Sequence, residues 1–355
     1  MSQTAFHVGL QFGHIKHFNE GLAEFSRQLA MQLATNALQL KAERNWHFHF
    51  ILPEQWHGMF GPDVHYHALT DGMRLRHRFP VDLDVWHGLH QHMRYRPPVN
   101  SKRNIMTVHD LNQVYAKRGL SLWWQNMRLT RQLRRMDQIV AISQYTADDL
   151  ARYLPWAPPA TVIHNGVADL SMAQRIPVDT LTGQRFLLHI SRMSPSKNVQ
   201  ALINMAAIWP TQTLVLVGPD SPEVHAHRAN VTALGLTHVH LLTDVSEGQK
   251  AWLYAHCQAF LFPSLAEGFG LPPVEAMYFG RPVVVARRTC LPEICSNAAL
   301  YWDDFQPDVM KWVVEAALAP AQQALLLGRA TERAHHFSWT NAAERYRALY
   351  DTAIS

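Results

Sequence analysis

The sequence predicts an α/β protein made of two doubly wound, parallel-sheet domains in tandem. Short apolar runs typical of buried strands alternate with segments of helical apolar spacing, and this alternation favours a parallel sheet covered on both faces. The alternation breaks once, at residues 168–184, and then restarts. The length of 355 residues also exceeds what one core usually serves. The two domains are predicted as residues 1–170 and 171–338.

The first domain is predicted to hold six strands and a long first helix. Leu22, Phe25 and Leu29 recur at the spacing of one helix face, so a helix is expected over 22–40. The predicted strands are 6–10, 46–52, 83–87, 104–108, 138–143 and 161–164.

The second domain is predicted to hold five strands, which are 186–190, 214–217, 239–242, 259–262 and 282–286. A last helix, 339–355, is expected to begin at a cap, Ser338 or Thr340, and to return to the first domain. Ligands of such sheets bind beyond the carboxyl ends of the strands, and pockets favour domain interfaces. The two sheets are therefore expected to face one cleft.

Two glutamates, Glu267 and Glu275, flank the glycine-rich sequence that follows the predicted strand 259–262. The next residues are expected to form a helix that stops at Gly280. A junction of strand, glycine loop and helix presents backbone N–H groups and a positive helix end, which suits a phosphate-bearing ligand. The carboxylates are then placed to bind hydroxyl groups of a sugar or ribose. Alternatively, Glu267 caps the turn and Glu275 is a solvated helix residue.

Two cations follow another strand of the second domain. Arg192 and Lys197 lie in the loop after strand 186–190, where a guanidinium and an ammonium group together suit a diphosphate. Gly218 follows strand 214–217 and lets a nucleobase or backbone approach closely. The ordinary alternative is that Arg192 and Lys197 are solvated loop charges and that Gly218 only forms a turn.

Polar residues and glycines also follow strands of the first domain. His109 and Asp110 come directly after strand 104–108, where a histidine can donate to a sugar hydroxyl or stabilise a leaving group. A pair buried for structural reasons is the alternative. Gly13 and Gly21 lie in the loop before the first helix and can bring backbone N–H groups to a phosphate.

The net charge of +4 is unevenly distributed. Residues 1–175 hold 19 Lys and Arg against 13 Asp and Glu, which is +6, and the remainder hold 13 against 15, which is −2. The first domain is therefore expected to meet an anionic partner. The segment 123–135 combines two tryptophans with four arginines at helical spacing. It is either a helix that rests on an anionic membrane surface or an amphipathic helix with Met127, Leu129 and Leu133 inward.

Several other classes of function find no support in the composition. No zinc-finger or RNA-binding pattern occurs, so no nucleic-acid partner is expected. Histidines are numerous, at 22, but pairs such as His47/His49 and His65/His67, and the set 87, 90 and 92, lack the companions of a recognisable metal site. The three cysteines have no paired spacing, and residues 1–7 have no signal-peptide pattern, so a reduced cytoplasmic setting is expected.

The order of motifs along the chain points to a known family. The motifs are Gly21, Val108-His109-Asp110, residues 141–146, Asn165-Gly166-Val167, Ser191-Arg192, Lys197-Asn198, residues 263–270, Glu275-Ala276 and Leu291-Pro292-Glu293. In this order they resemble the retaining glycosyltransferases of family 4. The similarity runs through nearly the whole chain and is most specific at the Glu-x7-Glu element of Glu267 and Glu275.

The resemblance implies a GT-B fold, with two Rossmann-like domains and a nucleotide-sugar donor held mainly by the second. It implies that Arg192 and Lys197 bind the donor diphosphate and that Glu275 binds the ribose hydroxyls. Glu267, with the backbone of Gly268, Phe269, Gly270 and Leu271, is expected to bind the transferred sugar, which His109 would contact from the acceptor domain. Two residues depart from the family pattern, because Glu20 and Ser191 stand where glycines are common.

The expected function is transfer of a hexose from a GDP- or UDP-linked sugar to a hydroxyl group, with retention at the anomeric carbon and without a metal or other cofactor. The resemblance favours mannose, and an acceptor that is a glycan or lipid-linked glycan of surface polysaccharide or lipopolysaccharide. No carboxylate is well matched to act as a covalent nucleophile at the reacting carbon, so front-face attack is the favoured hypothesis. The alternatives are a UDP-sugar-dependent transferase of the same fold, a sugar-nucleotide epimerase and a non-catalytic binding subunit.

Overall fold

The chain forms two α/β units, each built around its own parallel sheet. The computed structural model describes residues 4–13, 21–68, 78–93, 95–116 and 119–352. The first unit is Met1–Gly166 together with Ser338–Ser355, and the second is Val167–Phe337. The predicted strand–helix alternation is confirmed in both units.

The described strands of the first unit form a parallel sheet in the order β3-β2-β1-β4-β5-β6-β7. They are β1 Phe6–Gln11, β2 Trp46–Ile51, β3 His65–His67, β4 Leu83–Gly88, β5 Ser101–Val108, β6 Gln138–Ala141 and β7 Ala160–Val162. The sequence did not predict β3, because its three residues include no fully buried apolar side chain. The chain order reverses between β1 and β4, which is the topological switch point of this sheet.

Within the described residues, five helices of the first unit lie between its strands. They are α1 Gly21–Thr35, α2 Ala37–Arg44, α3 Gln113–Ala116, α4 Gly119–Leu133 and α5 Gln144–Tyr153. The single helix predicted over 22–40 is wrong, since it is divided at Asn36. The Asn36 side chain donates to the carbonyl of Gln32 at 3.0 Å, a local bond that competes with the continuing helix.

The second unit has a parallel sheet in the order β10-β9-β8-β11-β12-β13. Its strands are β8 Phe186–Ile190, β9 Thr213–Val217, β10 Val239–Leu242, β11 Ala259–Phe262, β12 Val283–Ala286 and β13 Leu300–Trp302. Its helices are α6 Val199–Ala207, α7 Pro222–Ala233, α8 Glu247–His256, α9 Leu271–Tyr278, α10 Leu291–Cys295, α11 Pro307–Leu318 and α12 Pro320–His336. All five predicted strands are present, and β11 and β12 are buried throughout, as strands covered on both faces must be. The chain order reverses between β8 and β11.

The last helix, α13 Trp339–Thr352, packs in the core of the first unit. Ser338 is its cap, because the Ser338 hydroxyl accepts from the backbone N–H of Asn341 at 3.1 Å. A Cβ at Gly166 would lie 2.4 Å from the Trp339 backbone, so only glycine permits this approach. No described helix has the length and apolar character that crossing a membrane would require.

A buried polar network joins this last helix to the strands. The ring of His87 bonds to the Tyr350 hydroxyl through Nδ1 at 2.7 Å and to the Thr107 hydroxyl through Nε2 at 2.8 Å. The Thr107 hydroxyl also lies 3.0 Å from the Tyr346 hydroxyl. Burial lowers the pKa of His87 to about 3, so the ring is neutral and both of its nitrogens have partners.

Five histidines form a second cluster, the histidine patch, on neighbouring strands β1, β2 and β3. Its members are His7, His47, His49, His65 and His67. The buried His49 ring lies at its centre and contacts His7 at 2.9 Å and His67 at 3.0 Å, nitrogen to nitrogen. Burial, followed by the neighbouring histidines, lowers the pKa of His49 to about 3, and burial also lowers the pKa of His47, His65 and His67.

The histidine patch predicts a loss of stability in mild acid. The folded-state pKa of His49 lies below its unfolded value, so its stabilising contribution is complete above about pH 6.5 and is lost as the pH falls towards the folded value. Between pH 7 and pH 5 the free energy of unfolding should fall by about 2 kcal/mol from His49 alone. The measurement is the urea midpoint at both pH values.

His49→Asn should show a smaller drop, because an amide does not titrate. His225→Asn removes an exposed histidine and should match the unmodified protein. A drop in the His49→Asn variant equal to that of the unmodified protein would contradict the assignment of this loss of stability to His49.

Candidate active site

Arg192, Lys197 and Glu267 lie on the loops that follow β8 and β11 at the switch point of the second sheet, and Glu275 lies on the helix that comes next. Because β8 and β11 are parallel neighbours, their carboxyl ends meet at one edge, and the loops after them lie side by side. Backbone contacts join the two loops at Ser196. Its carbonyl accepts from the Leu265 N–H at 2.7 Å and from the Ser264 hydroxyl at 3.1 Å.

This arrangement brings Lys197 and Glu267 together. The Lys197 ammonium lies 2.5 Å from Oε1 of Glu267, and the two side chains are only 15% and 12% exposed. Lys197 ends a short 3₁₀ turn, Pro195–Lys197, and the following Asn198 has φ of +52°, which directs the chain into α6. Lys197 is therefore not a solvated loop charge. Glu267 does more than cap its turn, because its carboxylate contacts Lys197.

Arg192, by contrast, is exposed on the same loop, and the structure does not bring it against either glutamate. The preceding residue, Ser191, fixes the position of this part of the loop. The His189 ring donates from Nδ1 to the Leu261 carbonyl at 2.8 Å and accepts from the Ser191 hydroxyl at 2.7 Å. Burial lowers the pKa of His189 to about 4, so the ring remains neutral. The Ser191 hydroxyl also accepts from the Met193 N–H at 3.0 Å, so the loop is anchored on both sides of Arg192.

Gly218 lies against this same loop. A Cβ there would come within 3.0 Å of the Ser191 carbonyl oxygen and of the Val224 side chain. The glycine thus lets the protein backbone pack closely here, and the approach of a nucleobase stays a prediction.

Glu275 is in the second turn of α9, and its carboxylate is held by two donors that the sequence did not reveal. The Lys250 ammonium lies 3.0 Å from Oε1, and the Tyr254 hydroxyl donates to Oε2 at 2.7 Å. Burial, and next the Glu275 carboxylate, hold the pKa of Tyr254 well above its usual value, so the phenol stays a donor. Glu275 is therefore fixed in orientation, unlike the solvated helix residue of the alternative reading.

The glycine-rich loop ends at the N-terminus of α9. Gly270 has φ of +90°, a conformation open to glycine, and a Cβ there would meet the Leu291 side chain at 2.7 Å. The second and third residues of α9 are Pro272 and Pro273, which have no N–H. The backbone donors at this end are consequently those of residues 268–271. Gly280, as predicted, follows the helix with φ of +62°.

In the first unit, His109 is buried just beyond β5, at the carboxyl edge of the sheet. Its Nε2–H donates to the Leu89 carbonyl at 2.9 Å, and its ring packs edge-on against Phe25. Burial lowers the pKa of His109 to about 3, so the ring is neutral and Nδ1 is left as an acceptor. A sugar hydroxyl would therefore donate to His109, which corrects the direction of the hydrogen bond expected from sequence. Contact with a sugar stays a prediction.

The two glycines predicted to approach a phosphate also lie in the first unit. Gly13 follows β1 with φ of +74°, and a Cβ there would come within 2.8 Å of Nε2 of His90, which follows β4 across the switch point. Gly21 is the first residue of α1. Glu20, which replaces a family glycine, lies outside the described residues.

The site thus combines paired cationic and anionic side chains with glycine-bordered backbone at a helix end. Such a set can bind a diphosphate through Lys197 and backbone N–H groups, and hydroxyl groups through Glu267 and Glu275. Within the described ranges, no three histidine, cysteine or acidic side chains are grouped so as to hold a metal ion.

Comparison with protein families gives matches over both units. Residues 26–169 match the model of Glycosyltransferase Family 4, and residues 173–325 match the model of glycosyl transferases group 1. The two matches are consecutive and together take in most of the chain.

Similar curated proteins include bacterial mannosyltransferases. The serotype-specific mannosyltransferase WbdA of Escherichia coli is 28% identical over 240 residues, which are 61% of this chain and 29% of that protein. O-antigen chain mannosyltransferase B of Escherichia coli is 25% identical over 279 residues, 72% of this chain and 71% of that protein. The chain thus spans less than a third of the length of WbdA.

Among solved structures, sucrose-phosphate synthase from Thermosynechococcus elongatus has a similar fold. Its TM-score is 0.78 at 18% identity, and the match covers 98% of this chain and 99% of that one. This likeness confirms the GT-B fold. With both family models matched in sequence, the chain belongs to the family 4 (group 1) glycosyltransferases.

Proposed function

We propose that this glycosyltransferase moves a hexose, with mannose favoured, from a nucleoside-diphosphate sugar to a hydroxyl group of a glycan or lipid-linked glycan. The proposal includes retention of the anomeric configuration, independence of metal ions and a place in O-antigen or lipopolysaccharide assembly. The observation that carries it is the Lys197–Glu267 pair at the switch point of the second sheet, where a phosphate-binding and a hydroxyl-binding group are in contact.

The second unit offers a binding group for each part of a nucleotide sugar. Lys197, in contact distance of Glu267, and the exposed Arg192 would bind the diphosphate. Glu275 would accept hydrogen bonds from the ribose hydroxyls, because Lys250 and Tyr254 fix its orientation. Glu267 would accept from hydroxyls of the transferred sugar, and the N–H groups of residues 268–271 would reach its oxygens.

The contacts of the two glutamates favour front-face attack over a covalent intermediate. Glu267 is paired with Lys197, and Glu275 is held by Lys250 and Tyr254, and these contacts offset the negative charge that would make either carboxylate a good nucleophile. In the proposed step, the acceptor oxygen bonds to the anomeric carbon as the bond to the diphosphate oxygen breaks. The acceptor's proton passes to that departing oxygen. Arg192 and Lys197 stabilise the charge that grows on the diphosphate.

The favoured sugar and nucleotide come from the similar proteins rather than from the site. Both curated relatives described above are named as mannosyltransferases, and one as an O-antigen chain mannosyltransferase. Mannose from GDP-mannose, passed to a growing glycan, is therefore the first donor and acceptor class to test. A UDP-linked sugar is the second donor class.

A basic surface of the first unit supports peripheral contact with an anionic membrane, where a lipid-linked acceptor would lie. Leu129 and Leu133 of α4 are buried, as an amphipathic helix requires, but Trp123 and Trp124 are 52% and 63% exposed. Residues 85–136 hold ten Lys and Arg and a single acidic residue, Asp110; of the ten, Lys102 pairs with Asp84 and Arg103 with Asp137, which lie just outside this range. Exposed tryptophans beside unbalanced positive charge are typical of a membrane-surface helix.

A cavity of about 540 Å³ beside α4 is likewise lined by basic and apolar side chains. Four arginines, Arg96, Arg128, Arg131 and Arg135, line it together with methionines and Trp124. In the described part of the chain, none of these four guanidinium groups is paired with a carboxylate. Such a lining suits a phosphate group with an apolar attachment, as in a phospholipid or a lipid-linked glycan.

The proposed function predicts donor binding and transfer that do not need a metal. The melting temperature is measured with GDP, with UDP and with the mannose, glucose, galactose and N-acetylglucosamine derivatives of both nucleotides. We expect GDP and GDP-mannose to raise it most. Transfer of mannose to an extract of lipid-linked glycans should persist in excess EDTA and give an α-linked product from the α-linked donor. A β-linked product would contradict retention, and complete loss in EDTA would contradict metal independence.

Replacement of Lys197 tests the role of the ion pair. Lys197→Ala should lower kcat for transfer by about 100-fold or more, because the diphosphate loses a buried charge partner as it departs. Lys197→Arg should recover part of the rate. Lys311→Ala, which removes a lysine paired within α11, is the matched control and should keep full activity. Activity of the Lys197→Ala variant close to that of the unmodified protein would rule out the phosphate role.

The basic surface predicts binding to anionic vesicles. The protein should sediment with phosphatidylcholine vesicles that contain about 30% phosphatidylglycerol and not with phosphatidylcholine alone. The double variant Trp123→Ala/Trp124→Ala should bind about tenfold more weakly, since it loses the interfacial side chains. Trp312→Ala removes a tryptophan that is 68% exposed on the second unit and serves as the control. Equal binding to both kinds of vesicle would refute the membrane contact.

A further inference from the structure

We propose that Thr289 is a positioning residue for the transfer reaction: its hydroxyl holds the main chain of Glu267 in the orientation that presents the Glu267 carboxylate to the sugar. This inference rests on the proposed function of Glu267. Thr289 lies between Arg288 and Cys290, just before the Leu291-Pro292-Glu293 motif, and no sequence pattern marks it as part of the site.

Consecutive residues of the turn before α10 hold both main-chain polar groups of Glu267. The Glu267 N–H donates to the Thr289 hydroxyl at 3.1 Å, and the Cys290 thiol donates to the Glu267 carbonyl at 3.3 Å. Burial, and next the Glu267 carboxylate, raise the pKa of Cys290 well above its usual value, so the thiol keeps its proton. The Leu291 side chain lies beneath Gly270 at the other end of the loop. The turn thus supports the glycine-rich loop along its length.

Thr289 adopts a backbone conformation that its side chain disfavours. Its φ is +48°, and Cys290 follows with φ of −76° and ψ of −11°. The Leu291 N–H donates to the Arg288 carbonyl at 3.1 Å, which closes a four-residue turn. These values match a type II′ turn, whose first central position is usually glycine. A β-branched residue at positive φ is an outlier that persists only where its surroundings require it.

The strain and the hydrogen bond together indicate why a threonine occupies this position. Glycine would relieve the backbone, but it has no hydroxyl with which to accept from the Glu267 N–H. Valine has nearly the shape of threonine and keeps the strain, and it also lacks the hydroxyl. Serine keeps the hydroxyl without the second branch at Cβ. The three replacements therefore separate the contribution of the hydrogen bond from that of the backbone.

The experiment compares Thr289→Gly, Thr289→Val and Thr289→Ser in the full chain. Thr289→Gly should melt at or above the temperature of the unmodified protein, yet its kcat should fall about five- to tenfold, the equivalent of one lost hydrogen bond. Thr289→Val should lose a similar factor in kcat. Thr289→Ser should restore the rate. Affinity for GDP or UDP alone should stay within twofold in all three, because Arg192, Lys197 and Glu275 are unchanged.

A matched control is available in the same unit. Ser296 also has positive φ, at +46°, and Ser296→Gly relieves comparable strain without removing a contact to Glu267. Its kcat should stay within twofold of the unmodified protein. An activity loss in Ser296→Gly equal to that in Thr289→Gly would overturn the proposal, since backbone relief alone would then explain both.

Hydrogen exchange of the Glu267 amide gives a readout that does not depend on catalysis. Exchange in a peptide covering residues 264–271 should be several-fold faster in Thr289→Gly and Thr289→Val than in the unmodified protein, and unchanged in Thr289→Ser. Unchanged exchange in Thr289→Val, a kcat within twofold in Thr289→Gly, or loss of nucleotide affinity along with kcat would each overturn the proposal. If the unmodified protein transfers no sugar, the proposed function fails, while the exchange rates still decide whether Thr289 holds the loop.

Discussion

The candidate active site depends on one constraint, the parallel pairing of β8 with β11 where the chain order of the second sheet reverses. Two strands that are distant in sequence end at the same edge, so the loops that follow them must share space. Because each loop carries one charged side chain that the other can neutralise, the two can approach closely without leaving a buried charge unpaired. The Lys197–Glu267 pair is therefore a result of topology as much as of residue type. Of the remaining contacts of the site, those at Ser196 and Thr289 fix the loops that this pairing brings together, and Tyr254 fixes Glu275 on α9.

Much of the fold could be predicted from the sequence because buried strands of a parallel sheet are nearly uniform in apolar character. The strands around β8 and β11 were found for that reason, and so were the loops that follow them. Two edge strands of three residues, β3 and β13, were missed because neither is buried throughout. A third, β7, was found from the adjoining apolar pair Val162 and Ile163. The break at Asn36 was missed because it depends on a local side-chain bond that competes with the helix.

The site was predictable in its charged residues and not in the groups that hold them. Lys197 and Glu267 follow strands and carry charge, so sequence reasoning could place them at one sheet edge. Lys250 and Tyr254 lie on a helix whose orientation towards Glu275 is set by packing alone. Thr289 is less visible still, since its importance comes from a backbone angle that favours another residue type. The direction of the His109 hydrogen bond likewise depended on a carbonyl 20 residues away.

The contact between Lys197 and Glu267 also affects which anions the site binds. In the structure the lysine is already neutralised, so a simple anion such as inorganic phosphate would have to displace a carboxylate that is held 2.5 Å away. That exchange replaces one negative partner with another and leaves the glutamate without its cation. A ligand that brings hydroxyl groups along with its negative charge can satisfy both members of the pair at once. We therefore expect the pair to act as a filter that favours sugar phosphates over the much more abundant free phosphate of a cell.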